Sequence, residues 1–145
     1  MKEIHLRIAT LEKVVFDGPV NSITLPAEAG EIGILPDHAP LITPLVLGEI
    51  TARKNGEDFY MAVSSGMAEI QPHRVIVLAD QAERAEEIDE KLAEEAREKA
   101  EVIMREKRND AKEFIAAEAE LQQAILRLKV AKKHRSKRGV SSSFG

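Results

Sequence analysis

One stretch restricts the backbone more than any other in the first half of the chain: Gly30-Glu31-Ile32-Gly33-Ile34-Leu35-Pro36-Asp37-His38-Ala39-Pro40-Leu41-Ile42-Thr43. Glycine can adopt positive φ, proline fixes φ, and the residue before a proline is pushed into an extended conformation. The stretch therefore predicts a rigid loop of defined shape at one end of a β-structure. From the residues alone it is either a structural double turn or a contact surface.

Closely spaced strands are predicted on both sides of this loop, over residues 1–80. Ile4, Leu6 and Ile8 alternate with polar residues in a period of two. Asn55-Gly56 separates two alternating segments, which is the strongest short-range signal of a hairpin. About eight to ten short strands, with turns between them and no helical pattern, are typical of a sandwich or barrel.

The pattern changes after Asp80. Residues 81–138 contain no glycine or proline and are rich in Ala, Glu, Lys and Arg, which are good helix formers. Asn109-Asp110 can turn the chain and cap a second helix. Two narrow apolar stripes recur every three or four residues, Ile88, Leu92, Ala96, Ala100 and Ile103 in the first, and Phe114, Ala117, Leu121, Ala124, Leu128 and Ala131 in the second.

The expected fold class is therefore α+β. Residues 1–83 are predicted to form an antiparallel β-sandwich, residues 84–138 a helical hairpin and residues 139–145 a disordered tail. An alanine-lined seam between two helices buries little apolar surface. Since burial stabilises by ~25 cal/mol per Å² of apolar surface, such a seam contributes little to stability. The hairpin is therefore either a static part of the core or a device that opens towards a partner, and composition leaves both readings open.

Charge is graded along the hairpin. Residues 83–101 hold nine acids and four bases, whereas residues 127–138 hold seven bases and no acid. Seven bases exceed what a helix dipole attracts, so an acidic partner surface is indicated. Nucleic acid is the weaker reading, because no aromatic residues are interleaved and residues 1–80 are acidic. We call these cations the basic end: Arg127, Lys129, Lys132, Lys133, Arg135, Lys137 and Arg138.

No catalytic constellation is recognisable in the sequence. The chain has no cysteine, and its four histidines do not have the spacing of a zinc site. Walker loops, G-x-G-x-x-G and G-x-S-x-G are absent from the sequence. No run approaches the ~20 apolar residues that span a bilayer. We therefore expect no catalytic residue, no metal, no required cofactor and no direct membrane insertion.

Three segments together resemble one known family, the epsilon subunit of bacterial F-type ATP synthase. Residues 30–41 are similar to its signature G-x-x-G-x-L-P-x-H-x-P-L, and Val14–Val20 and Ser65–Ile70 are similar to its other strands. The resemblance covers nearly the whole chain. It implies a flattened sandwich of about ten strands followed by two helices. It also implies a non-catalytic rotor subunit at the cytoplasmic face of a bacterial plasma membrane.

The same resemblance assigns partners and sites. The sandwich would contact the gamma subunit and the c-subunit ring, through Glu31, Gly33, Pro36, His38 and Pro40. It would couple proton-driven rotation of the ring to ATP synthesis. The helices would extend to the catalytic alpha and beta subunits and inhibit ATP hydrolysis, with Arg127, Lys129, Lys132, Lys133 and Arg135 at the inhibitory end. Alternatives from other classes are a free nucleotide-sensing β-domain closed by its hairpin, and a nucleic-acid adaptor.

Some members of the family bind ATP through an I-D-x-x-R-A motif. Ile88, Asp89 and Ala93 match it, but Leu92 stands where the motif has Arg. Losing that cation removes a charge-assisted contact of about 1.5–3 kcal/mol.

We therefore expect the isolated chain to bind ATP weakly or not at all. Isothermal titration calorimetry with ATP measures this directly. A low-micromolar dissociation constant would contradict the expectation and favour the nucleotide-sensing alternative.

Overall fold

The computed structural model describes the backbone of residues 2–144 and the side chains of residues 2–137. The predicted disordered tail, 139–145, lies outside the residues whose side chains are described. The chain divides into two compact units, Met1–Ala85 and Glu86–Gly145. The division follows the last strand, so the predicted boundary after residue 83 falls within that strand.

The first unit is a single sheet of ten strands that folds on itself. Along the sheet the strand order is β10-β7-β6-β3-β5-β8-β9-β1-β2, and β4 pairs with β3 outside this path. This confirms the predicted β-sandwich of about ten strands. The strands are β1 (Ile4–Ala9), β2 (Val14–Val20), β3 (Ser22–Ala27), β4 (Gly30–Ile34), β5 (Leu41–Leu45), β6 (Gly48–Lys54), β7 (Glu57–Val63), β8 (Gly66–Gln71), β9 (Arg74–Ala79) and β10 (Ala82–Arg84).

One strand pair departs from the antiparallel pattern. β1 and β9 run parallel, with Leu6 opposite Val75 and Ile8 opposite Val77. The residues of both strands that face inward are fully buried. The sequence contains no local signal for this pairing, because the two strands lie far apart in the chain and no crossover helix joins them.

The core of the sheet unit is aliphatic. Isoleucine, leucine and valine fill its interior, and no buried residue in the described part of the chain is polar or charged. Phe16 and Phe59 pack at the margin with ring centroids 6.2 Å apart, and the guanidinium of Arg84 lies 5.4 Å from the centroid of Phe16. The alternation of the strands therefore supplies the burial that holds the unit together.

The turn residues behave as their chemistry predicts. Asn55 and Gly56 have φ of 52° and 81° and join β6 to β7 in a two-residue turn, which confirms the predicted hairpin. Pro44 lies within β5, where its carbonyl accepts the Glu28 N–H at 3.1 Å. Since N–H and C=O of a strand residue point to the same side, the missing N–H of Pro44 faces away from β8 and leaves that ladder intact.

The second unit is a helical hairpin, α1 (Glu90–Glu106) and α2 (Ala111–Phe144), preceded by a 3₁₀ turn, Ala85–Glu87. The Asp89 carboxylate accepts the N–H of Leu92 at 3.1 Å and caps α1. The Asp110 carboxylate accepts the N–H of Glu113 at 3.2 Å, as predicted for the second helix. The two caps fix where each helix begins.

The structure confirms the predicted apolar stripe of α2 but only part of the predicted stripe of α1. Every residue of the α2 stripe is buried or half-buried, and Ala117, Ala124 and Ala131 are fully covered. The α1 stripe was wrong at Leu92 and Ala96, which are exposed. Ile88 precedes Asp89, the N-cap of α1, and is not part of the helix. Positions counted from Ile88 in steps of four therefore do not all fall on the covered face of α1. The covered face of α1 carries Ala93, which was not predicted, together with the predicted Ala100.

Gly66 is the glycine whose replacement the sheet tolerates least. A Cβ there would lie 2.2 Å from the carbonyl oxygen of Leu78 and 2.8 Å from the Cα of Ala79, both backbone atoms. We expect Gly66→Ala to lower the free energy of unfolding by about 1–3 kcal/mol. Urea denaturation of the full chain measures it.

Gly18→Ala is the matched control, because Gly18 also lies in a strand but a Cβ there meets nothing within 4 Å. We expect its unfolding midpoint to stay close to that of the parent. Equal midpoints for the two variants would show that β8 and β9 can separate without loss.

Candidate functional site

The stretch 30–43 comprises β4, the turn that follows it and the start of β5 rather than one loop. Residues 30–34 form β4, which pairs with β3 from Ala27 opposite Gly30 to Ile23 opposite Ile34. The five-residue strand is roughly 16 Å long. Glu31 lies near its first end and His38 beyond its last, so the prediction of a single rigid loop at one end of the sheet was wrong. The two residues are separated because residues 30–34 pair with β3 as a strand, which the Gly and Pro content of the stretch did not indicate.

The restricted backbone is concentrated in the turn after β4. The His38 N–H donates to the Leu35 carbonyl at 3.1 Å, with Pro36 second and Asp37 third in the turn. Asp37 has φ of 71°, and a proline followed by a positive φ defines a type II turn. Its N–H donates to the Pro72 carbonyl at 2.7 Å, which ties this turn to the β8–β9 turn.

Polar contacts fix the surroundings of this turn. The Lys2 ammonium donates to the Asp37 carboxylate at 2.8 Å, and this hydrogen bond, followed by the charge of Asp37, raises the pKa of Lys2 above its ordinary value. The His38 ring donates from Nδ1 to the Ala39 carbonyl at 2.6 Å. Asn21 donates to the Lys2 carbonyl and accepts the N–H of Asn55. The ends of several strands are thus held together beside the turn.

The predicted rotor-contact residues therefore fall into two groups. Pro36, His38 and Pro40 lie together in or next to the turn, where Pro36 and His38 are half-buried and Pro40 is exposed. Glu31 and Gly33 lie on β4, both exposed. In the described part of the chain β4 pairs with β3 alone, so these two residues lie on a strand at the margin of the sheet.

Sequence reasoning missed an exposed apolar surface on the outer side of three adjacent strands. We call it the apolar sheet face: Ile42, Pro44, Met67, Ile76 and Leu78. The side chains of Ile42, Met67 and Leu78 are 68%, 45% and 59% exposed. The register places Pro44, Met67 and Leu78 in one uninterrupted row across β5, β8 and β9. In the next row the exposed Glu69 lies between Ile42 and Ile76. Contiguous exposed apolar surface of this kind marks an interaction site.

A signal for this face was present in the sequence. Val75-Ile76-Val77-Leu78-Ala79 is apolar without interruption, whereas a strand with one solvated side alternates. In the structure Val75, Val77 and Ala79 face inward, and Ile76 and Leu78 face outward.

Charged residues border the apolar sheet face. Arg7 is opposite Ile76 in the β1–β9 ladder. Its guanidinium lies 3.7 Å from the Asp17 carboxylate, which is also the partner of the His5 ring. A polar rim around an apolar centre is typical of a protein–protein interface.

The basic end begins at the midpoint of α2 and lies in its second half. Lys129, Lys132, Lys133 and Arg135 are exposed, Arg127 is half-buried, and the side chain of Arg138 lies outside the described residues. Val130 and Ala131 are buried between these cations. Helical spacing therefore keeps one side of this segment covered and leaves most of its cations at the surface.

The residues that match the ATP motif have structural tasks in the hairpin. Asp89 caps α1 with its carboxylate. Ile88 and Ala93 are buried. Leu92, at the position of the missing arginine, is 56% exposed. The exposed position could hold a cation, but in this chain it offers only an apolar side chain.

Within residues 2–144, no three His, Asp or Glu side chains come together as metal ligands. Over the same part of the chain, neither helix combines the length and the hydrophobicity that crossing a bilayer requires.

Comparisons with known proteins match both units. The β-sandwich domain of the ATP synthase delta/epsilon chain matches residues 3–85, and the long α-helix domain of that chain matches residues 86–132. An ATP synthase epsilon chain of Chloroflexus aggregans is 48% identical over 93% of this chain and 96% of its own length. One of Moorella thermoacetica is 46% identical over 90% and 98%.

A solved structure shares the fold at lower identity. A chain in the cryo-EM structure of the Euglena gracilis mitochondrial ATP synthase, described as OSCP/F1/c-ring in rotational state 1, aligns with a TM-score of 0.64. It is 22% identical, and the alignment covers 93% of this chain and 81% of that one.

Proposed function

Because the chain belongs to the ATP synthase delta/epsilon chain family, we propose that it is the epsilon subunit of a bacterial F-type ATP synthase. In this role it is a non-catalytic part of the central stalk that couples rotation of the c-subunit ring to ATP synthesis. The observation that carries the proposal is the match of both units, with relatives that are covered almost end to end. The subunit is peripheral, at the cytoplasmic face of the plasma membrane, where it is held by its partners.

The sandwich is the part that carries torque. The apolar sheet face fits the gamma subunit, since a permanent partner covers apolar surface that solvent would otherwise meet. Glu31 and Gly33 on β4, and Pro36, His38 and Pro40 at the type II turn, supply two further contacts on the rotor, to gamma or to the c-ring. Their separation along β4 gives the subunit two points of attachment, which resist rotation better than one.

The hairpin is the regulatory part. Its basic end fits an acidic surface on the alpha and beta subunits, because four of its cations are exposed on one segment of α2. A seam lined mainly by alanines stabilises the closed hairpin only weakly. A closed and an open arrangement that differ by a few kcal/mol are what a switch requires. Nucleotide is not needed for either arrangement, since Asp89 is committed to the cap and Leu92 brings no cation.

The rotor contact is tested by Leu78→Glu in the assembled enzyme. A charge in the row formed by Pro44, Met67 and Leu78 should weaken recovery of gamma with the tagged chain by at least about tenfold, equivalent to 1.4 kcal/mol. ATP synthesis driven by a proton gradient should fall with it. Pull-down from detergent-solubilised membranes, with quantification of gamma, measures the effect.

Leu11→Glu is the matched control, because Leu11 is fully exposed between β1 and β2, outside the apolar sheet face. It makes the same chemical change and should leave gamma recovery unchanged. Unfolding by urea checks that both variants are folded. Undiminished recovery of gamma with Leu78→Glu would remove the face from the rotor interface.

The inhibitory role is tested by replacing Lys132, Lys133, Arg135, Lys137 and Arg138 with alanine. We expect ATP hydrolysis by the assembled enzyme to rise severalfold, because the attraction to the acidic surface is lost. Lys91, Lys99 and Lys112, which are exposed lysines outside the basic end, form the control set when changed to alanine. Unchanged hydrolysis in the basic-end variant, or an equal rise in the control, would refute the role.

A further inference from the structure

Arg135 of the basic end already has an acidic partner inside the chain. Its guanidinium donates to the carboxylate of Glu90 and forms an ion pair with it. Glu90 is the first residue of α1, whereas Arg135 lies well along α2. The ion pair therefore joins the two helices at the open end of the hairpin, far from the turn at residues 107–110.

The apolar seam between the two helices is thin. Of the buried residues on the two helices, Val130 is the largest and the other five are alanines, Ala93 and Ala100 on α1, and Ala117, Ala124 and Ala131 on α2. Each alanine buries only a methyl group, so the apolar contribution per helical turn is small. At the opposite end, the Lys107 ammonium lies 3.8 Å from the Glu113 carboxylate. Ion pairs thus stand at both ends of a thin apolar seam.

We propose that Glu90 is an internal competitor for the basic end. It holds Arg135 in the closed hairpin, and that contact must break before Arg135 can bind an acidic surface on another subunit. This rests on the inhibitory role proposed above. Glu90 and Arg135 lie on different helices, so the movement of α2 away from α1 that would bring Arg135 to another subunit also separates it from Glu90.

The strength of the contact suits a switch. Glu90 and Arg135 are partly exposed, with side-chain exposures of 40% and 62%, so the attraction is modest and is screened by salt. A modest contact shifts a two-state equilibrium severalfold without locking it. Glu90 also lies at the N-terminus of α1, where the helix dipole favours an acid, so its carboxylate is stable after Arg135 leaves.

The first experiment measures opening in the full chain, free of the enzyme. The chain has no cysteine, so Lys99→Cys and Gln122→Cys, both at exposed positions, accept a pair of spin labels without interference. Electron–electron distance measurements then report the closed and open populations. We expect Glu90→Gln to raise the open-to-closed ratio about two- to fivefold at low salt.

Glu95→Gln is the matched control, because Glu95 is an exposed acid on the same helix and loses the same charge. It should keep the ratio of the parent. Added salt should open the parent and leave Glu90→Gln nearly unaffected. The charge exchange Glu90→Arg with Arg135→Glu should restore closure. An equal ratio in parent and Glu90→Gln would overturn the inference.

The second experiment measures ATP hydrolysis by the assembled enzyme. If Glu90 competes for the basic end, Glu90→Gln should strengthen inhibition and lower hydrolysis about two- to fivefold, whereas Glu95→Gln should not. If the alanine set at the basic end raises hydrolysis and Glu90→Gln leaves it unchanged, the competitor is refuted and the inhibitory role stands. If the alanine set has no effect while Glu90→Gln opens the isolated chain, the proposed inhibitory role fails instead.

Discussion

The structure depends on the burial of alternate aliphatic side chains inside one continuous sheet. In the described part of the chain no polar group enters that interior, so each strand is held by apolar contact on one side and by ladder hydrogen bonds along its edges. The parallel pairing of β1 with β9 joins the N-terminal strands to the end of the sheet unit. A unit built in this way resists local opening, which is what a part that transmits torque requires.

The hairpin follows the opposite principle. Its seam is lined mainly by alanines, and the ion pairs Glu90–Arg135 and Lys107–Glu113 stand at its two ends. Small buried area and exposed charge make the helix pair the less stable of the two units, although each helix has a well-formed N-cap. One chain thus combines a unit with a large aliphatic core and a unit with a thin seam, and the difference comes from Ile, Leu and Val in the sheet and mainly Ala between the helices.

The distribution of charge links the two functions. Acids concentrated on α1 and bases at the end of α2 attract each other within the hairpin, and the same bases suit an acidic surface on a partner. Competition between these two uses needs no ligand and no extra domain. It needs a cation that is reachable in both states, and Arg135 meets that condition because it is exposed while it is paired.

The sequence by itself determined the features that depend on neighbours in the chain: the strands, the Asn55-Gly56 hairpin, the Asp110 cap, the α2 stripe and the family signature at residues 30–41. Turn chemistry and periodicity act over a few residues, so they can be recognised in a short segment of sequence. Only the tertiary structure decided which strands pair, and hence the separation of Glu31 from His38 and the assembly of the apolar sheet face. It also decided the phase of α1 and the contact between Glu90 and Arg135, because contacts between residues distant in the chain arise only when the whole fold closes.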